Sequence, residues 1–410
     1  MADKDEDLSV DRRSFIRALG EQALLSVGSA LALGHELREE VIGHLREEEP
    51  HPIPDAGREA GPADLWLRSS PLPDACEEPL DGWAGQPAFA TRLEDDGVIR
   101  AIDQRTLPKP GPEVELRTVG EVVQAMREGI IDGGLALSQA AVQALALAAI
   151  SAGAAPKPAT LATLRGAARA LAGARPDVPL VRDVVEVVLK DAEAGADKPL
   201  VGRLCRAVEG LARTIQAEHI QVACRGAEWL DRTFAGQVRA LVSGVFGAHA
   251  TGSIGTTSAI LRATADRGTS LDVWVPTGMP VGRSEAILSA ALADTTATVH
   301  AVSDVRIGAL LLERRVQVVL LGVSWMAADG SLAGEVGSRA IAVLAKEAGI
   351  PVVGVASAGM RVRPRPDDGP PALSDRTDGA VPLELVDARW LGGILGETGL
   401  RRAVAAGGPG

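Results

Sequence analysis

Residues 240–246 (ALVSGVF), 271–275 (LDVWV), 298–302 (TVHAV), 316–322 (VQVVLLG) and 351–357 (PVVGVAS) are short apolar runs, most of them rich in β-branched side chains. Stretches with helical spacing lie between them, at 256–267, 283–293, 305–313 and 335–348. A strand that is apolar along its whole length needs cover on both faces, and these connections are long enough for crossover helices. The pattern predicts a doubly wound, mainly parallel, Rossmann-like α/β sheet over 236–402. In such a sheet ligands bind beyond the carboxyl ends of the strands. The loop after each strand is therefore where a site is expected.

Upstream of Phe234 the period is helical. Apolar residues recur at helix spacing over 118–152, 158–172, 180–195 and 199–232, after a turn and short strand at 96–101. This spacing predicts a mostly helical domain over 89–235. Residues 49–88, with Pro50, Pro52, Pro54, Pro62, Pro71, Pro73 and Pro79, read as an irregular linker, because proline fixes φ and removes a donor. The linker sets off a helical appendage, 1–48, whose helix over 9–48 is the kind of addition that docks a protein partner; residues 403–410 read as a flexible tail. Arg12-Arg13 and Phe15 before a mildly apolar stretch resemble a twin-arginine export signal, although acidic residues precede them and Glu21 interrupts the stretch.

Apolar residues make up 46% of the 410 and charged residues 23%, which excludes a disordered or fibrous chain. With four Phe, six Trp and no Tyr, the core must rest on Ala, Val and Leu. A net charge of −12 with no long Lys/Arg cluster argues against nucleic acid, whose phosphates need positive charge gathered in one place. Cys76, Cys205 and Cys224 have no CxxC spacing, so neither a disulfide framework nor a zinc site is expected, and the reducing cytoplasm is the simpler location. No metal or cofactor is expected. No run of 18 apolar residues offers a membrane span.

The first strand-end loop, 247–256 (GAHATGSIGT), is glycine-rich, carries hydroxyls and runs into a helix. Amides at a helix start favour an anion, so Gly252, Ser253 and Thr256 are candidate phosphate contacts. The plainer alternative is a tight turn and a cap. His249 in this loop titrates near neutrality and is the candidate acid/base; its alternative is a histidine bonded to a backbone carbonyl. Asp304 after the third strand reads either as a ligand contact or as the N-cap of helix 305–313. After the fourth, Asp329-Gly330 reads as a turn, and Gly337 as a point of close backbone approach.

Residues 98–108 (VIRAIDQRTLP), 114–126 (VELRTVGEVVQAM), 130–138 (IIDGGLALS), 174–176 (ARP), Gly252-Ser253-Ile254, 302–306 (VSDVR), 322–338 (GVSWMAADGSLAGEVGS) and 381–400 (VPLELVDARWLGGILGETGL) succeed one another in a telling order. Together they resemble the methylthioribose-1-phosphate isomerases, whose fold also serves ribose-1,5-bisphosphate isomerases and the regulatory subunits of initiation factor two B. The resemblance implies homodimers and a reaction that opens a cyclic aldose 1-phosphate and moves hydrogen between C1 and C2. It also implies changes at the site. The family's catalytic cysteine falls at His249 and its catalytic aspartate at Ser324. Its Asn-Lys pair falls at Gly334-Glu335, and its phosphate-holding arginine in an Arg-Gly-Ala-Pro run at Asp132, where a negative charge would repel a phosphate. The arginine after the second strand is Met279, and a glutamine becomes Arg283; Arg175 and Asp304 are retained.

An unactivated hydroxyl does not replace a carboxylate as an acid/base, so the change at Ser324 alone predicts a loss of about 10²–10⁴-fold in the parent reaction. Two functions are open. One is a diverged isomerase or acid/base enzyme on a small phosphorylated metabolite, with His249 and Ser324 at the chemistry and Arg175, Gly252, Ser253, Thr256, Arg283 and Asp304 as contacts. The other is a non-catalytic ligand-binding or regulatory chain of the initiation-factor type.

Overall fold

The computed structural model describes residues 90–109, 111–153, 155–194, 200–234, 236–244, 255–278, 281–362 and 381–402. The appendage, the linker, the tail, Met279 and the part of the first strand-end loop that holds His249, Gly252 and Ser253 lie outside the described residues.

Thr91–Leu93 (β1), Ile99–Ala101 (β2) and Val114–Leu116 (β3) form a small antiparallel sheet. Helices come next: Val119–Arg127 (α1), Gly134–Ser151 (α2), Lys157–Ala172 (α3), Pro179–Ala194 (α4) and Leu200–Phe234 (α5). The stretch 118–152, expected as helix, is two helices. Glycines with positive φ, Gly129 and Gly133, break it. A capping box starts α1: Thr118 Oγ1 accepts the N–H of Glu121, and the Glu121 carboxylate accepts that of Thr118. α2 has no polar face and is buried all round, as such a helix must be. It has the length and mean hydropathy of a membrane span, but 89% of it is buried inside the protein, as in the core helix of a folded domain.

The helical part gives way to alternating strands and helices between Phe234 and Gln237. Strands Gln237–Ser243 (β4), Ser270–Pro276 (β5), Thr298–Val302 (β6), Val318–Gly322 (β7), Val352–Val355 (β10), Gly393–Gly396 (β12) and Gly399–Arg401 (β13) form one sheet. Its order is β13-β12-β10-β7-β4-β5-β6, parallel except for the β12–β13 edge. Helices Thr256–Asp266 (α6), Arg283–Ala291 (α7), Ile307–Leu312 (α8) and Ser338–Glu347 (α9) connect the strands. Alternate residues serve opposite faces. Leu241, Val319, Leu321 and Val352 join the core shared with the helical part, whereas Val238, Ala240, Val242, Val273 and Leu320 join a second cluster with Ile260 and Leu288. The expected doubly wound sheet is what the chain forms, on a core of Ala, Val and Leu.

A further antiparallel sheet, in the order β11-β9-β8, uses Trp325–Met326 (β8), Leu332–Glu335 (β9) and Leu383–Val386 (β11). The sequence pattern places a helix from 335 onward, and here the structure differs. The helix starts at Ser338 because Gly337, at φ +105°, turns the chain first. Gly337 meets nothing in close approach; its role is that left-handed turn. The close approaches are elsewhere: a Cβ on Gly322 would overlap the carbonyl oxygen of Gly244, and one on Gly226 of α5 would press into Ile260 of α6. Asp304 is not an N-cap. It is the first residue of a 3-10 turn, Asp304–Arg306, that precedes α8. Among the described residues Cys205 is free, whereas Cys224 is disulfide-bonded, which corrects the expectation that the cysteines form no disulfide. Spacing along the chain does not reveal which thiols the fold brings together.

Candidate functional site

The strand order reverses between β4 and β7, which sit side by side although β5 and β6 intervene in the chain. A crevice at that point, beyond the carboxyl ends, is where this architecture holds ligands. Its floor is bare backbone, because Gly244 after β4 and Gly322 at the end of β7 come too close to admit a side chain.

Around that floor lie polar groups from several loops. Thr256, Thr257 and Ser258 open α6 and are all buried. Thr257 Oγ1 and Ser258 Oγ have no hydrogen-bond partner among the described residues. Ser324, two residues past β7, gives its N–H to the Ala333 carbonyl (2.8 Å), but its buried Oγ likewise has no partner. Arg283 begins α7; its Nη2 donates to the Gln104 carbonyl (2.7 Å), and its buried Nη1 has no acceptor among the described residues. Native structures leave few buried polar atoms unpaired. Four such atoms lie in the segments that follow β4, β5 and β7.

Glu335, the last residue of β9, is the titratable centre of this edge. Its Oε2 accepts the N–H of Gly244 (3.1 Å), and its Oε1 accepts from Ser284 Oγ (3.3 Å). Burial pushes its carboxyl up to about 7; the Gly244 and Ser284 bonds and the Arg283 charge pull it back, while Asp132 adds to the rise. Its protonation therefore changes near neutral pH, the condition a general acid/base needs. Sequence reasoning named Glu335 only as the replacement for a lysine. The signal that could have found it is a carboxylate two residues before a Gly-Ser helix start, at the end of a strand.

Asp304, expected as a contact, joins two strand-end loops: it accepts from Thr277 Oγ1 (3.1 Å) and the Gly278 N–H (3.4 Å). Arg175 is placed differently from the expectation. It is 1% exposed, and its guanidinium is taken up by carboxylates, with Nη1 on Asp132 (2.7 Å) and Nε and Nη2 on Asp177 (2.9 and 2.8 Å). Burial opposes its charge, but the two aspartates outweigh that and raise the guanidinium above its ordinary value. Asp132 stays below the usual carboxylate range, because Arg175 and the N–H groups of Val381 and Gly133 overcome its burial. As placed here, Arg175 does not offer its charge to a phosphate. The charge reversal at Asp132 is absorbed in an internal ion pair.

A second pair of buried acids lies further along the same edge. Gly359 N–H donates to Glu218 of α5 (2.9 Å), and the neighbouring Ala358 N–H to Glu397 (2.6 Å). Burial and then the charge of Glu397 push Glu218 up to about 7; burial raises Glu397 too. A folded-state value above the unfolded 4.5 means that the fold holds a proton the unfolded chain has lost. Stability is then fully present below about pH 4.5 and lost as pH rises through about 7. We expect the urea midpoint to fall between pH 5 and pH 7.5, and Glu218→Gln to flatten that slope; an unchanged slope would count against the pairing.

These features define an α/β protein with buried polar groups at its strand reversal. The chain belongs to the initiation factor 2 subunit family, whose family model matches residues 130–364. It is 30% identical over 262 residues to a methylthioribose-1-phosphate isomerase of Anaeromyxobacter sp., covering 63% of this chain and 73% of that one. It is 28% identical over 277 residues to a 5-deoxyribose 1-phosphate isomerase of Moorella thermoacetica, covering 62% and 73%. In fold it is similar to a 5-methylthioribose 1-phosphate isomerase of Pyrococcus horikoshii (TM-score 0.61, 21% identity, 77% of this chain and 92% of that one). It is likewise similar to the delta subunit of translation initiation factor eIF-2B from A. fulgidus (TM-score 0.60, 22% identity, 77% and 96%).

Proposed function

We propose that this chain is an acid/base enzyme of the aldose–ketose isomerase type, acting on a small sugar 1-phosphate bound in the crevice. The observation that carries the reading is Glu335, a buried carboxyl poised at about 7 between the Gly244 N–H and the Ser284 hydroxyl. In the isomerisation the C1–ring-oxygen bond breaks as that oxygen gains a proton, hydrogen moves from C2 to C1 with its electron pair, and the C2 hydroxyl gives up its proton as the carbonyl forms. Glu335 serves one of the two oxygen–proton transfers and His249 the other. Ser324 and Arg283 bind substrate oxygens, and the amides and hydroxyls of Gly252, Ser253 and Thr256 hold the phosphate. Asp304 braces the loop beside them.

Relatives named for methylthioribose 1-phosphate and 5-deoxyribose 1-phosphate supply the test compounds. Incubation with each, read by NMR for a ketose 1-phosphate, is expected to give product with one of them. Well-folded protein that binds either compound and converts neither would overturn the catalytic reading.

A second reading, a ligand-binding or regulatory chain, is favoured by one observation: the cation retained at Arg175 is already neutralised by Asp132 and Asp177. Binding without turnover in the same assay is its signature. Either reading includes the homodimer the family resemblance implies, and the helix over 9–48 as a docking element for a protein partner. Cytoplasmic location is part of the proposal.

A further inference from the structure

We propose that Asp132 is a positioning residue for Glu335, acting through the main chain of residues 381–384. The inference rests on reading Glu335 as the acid/base group.

The connection runs through bonds that are each in place. Asp132 Oδ1 accepts from Arg175 Nη1 (2.7 Å) and from the Gly133 N–H (2.9 Å), and its Oδ2 accepts the Val381 N–H (2.9 Å). A carboxylate bonded at both oxygens by three separate segments has a single orientation. Arg175 is held in turn by Asp177, and Trp325 Nε1 donates to the Asp177 carbonyl (3.0 Å). Val381 therefore has a fixed anchor 249 residues away in sequence.

The residues just after Val381 grip the segment that carries Glu335. The Pro382 carbonyl accepts the Val336 N–H (3.1 Å), and Leu383 lies directly opposite Glu335 in the β9–β11 ladder. Glu384 Oε1 then accepts the N–H groups of Gly337 (2.7 Å) and Arg339 (2.8 Å), which satisfies the first amides of α9. Residues 335–339 are thus pinned at several points by the four residues that Asp132 anchors. Only a carboxylate suits the place. An amide would set its NH2 against one of the two donors, Arg175 Nη1 at Oδ1 or the Val381 N–H at Oδ2. Asp132 also acts through charge: with one guanidinium between two aspartates the cluster is negative by one, and that charge favours the protonated form of Glu335.

The test is direct titration of Glu335 by carbon NMR of labelled glutamate carboxyls, assigned with Glu335→Gln, in wild type and Asp132→Asn. Amide exchange of Val381 and Val336 is measured on the same samples. We expect the Glu335 midpoint to move down from about 7 in Asp132→Asn, with faster exchange at both amides. Val381→Pro deletes the donor from the other side while leaving the Asp132–Arg175 pair intact, so it serves if Asp132→Asn does not fold; it is expected to speed exchange at Val336. Folded variants with the wild-type Glu335 midpoint and wild-type protection of Val336 would overturn the proposal. None of these readouts needs turnover, so an absence of isomerase activity would remove the enzyme reading and leave this one separately testable.

Discussion

Glu335→Gln is expected to lower kcat for the sugar phosphate by about 10²–10⁴-fold, the usual contribution of a positioned proton-transfer group. The change keeps size and both hydrogen-bonding positions but removes the titration. The Gly244 N–H and the Ser284 hydroxyl can both be served by an amide only if its oxygen faces Gly244 and the serine turns to accept. The fold should therefore survive. Above pH 7 the variant should be more stable than wild type, because the ionised form of a carboxyl held at about 7 works against folding. Two measurements decide it: turnover at saturating substrate, and urea unfolding at pH 8. A folded variant with wild-type turnover would move the chemistry to another residue.

Arg175→Ala is expected to cost about 3–5 kcal/mol of stability, since it strands two buried carboxylates, and removing one partner of a buried pair leaves the other charge uncompensated. Arg92 provides the contrast. It also bonds a carboxylate at two points, Glu113 at 2.9 and 3.0 Å, but on the surface. Pairs of that kind contribute about 0–1 kcal/mol. Urea unfolding of Arg175→Ala and Arg92→Ala side by side separates the two cases. If both lose the same small amount, the buried cluster is no structural anchor.

The parallel sheet is legible in the sequence because its strands are apolar on both faces, and the run 298–302 matches its strand to the residue. The second, antiparallel sheet is not legible. β8 is two residues long, β9 is Leu-Ala-Gly-Glu, and neither is long enough to display a period. The last residue of β9 merges with the helical pattern after it, which hides Glu335 as a site residue. Its titration comes from burial, which a sequence does not display. Asp132 is legible as a charge reversal but not in its effect: a sequence suggests repulsion of a phosphate, whereas its negative charge faces Arg175, 43 residues on. Unpaired hydroxyls such as Ser324 Oγ are a property of assembled surroundings and leave no trace in composition. His249, Gly252 and Ser253 remain expectations from the sequence.

The contact between Gly244 and Gly322 has an evolutionary corollary. Where two main chains meet with no room for even a methyl group, the base of the crevice has no side chain to vary. New preferences must then be written at the walls, in Ser324, Arg283, Ser284 and the start of α6. A lineage could exchange those residues, chemistry included, while the strands beneath them stay as they are.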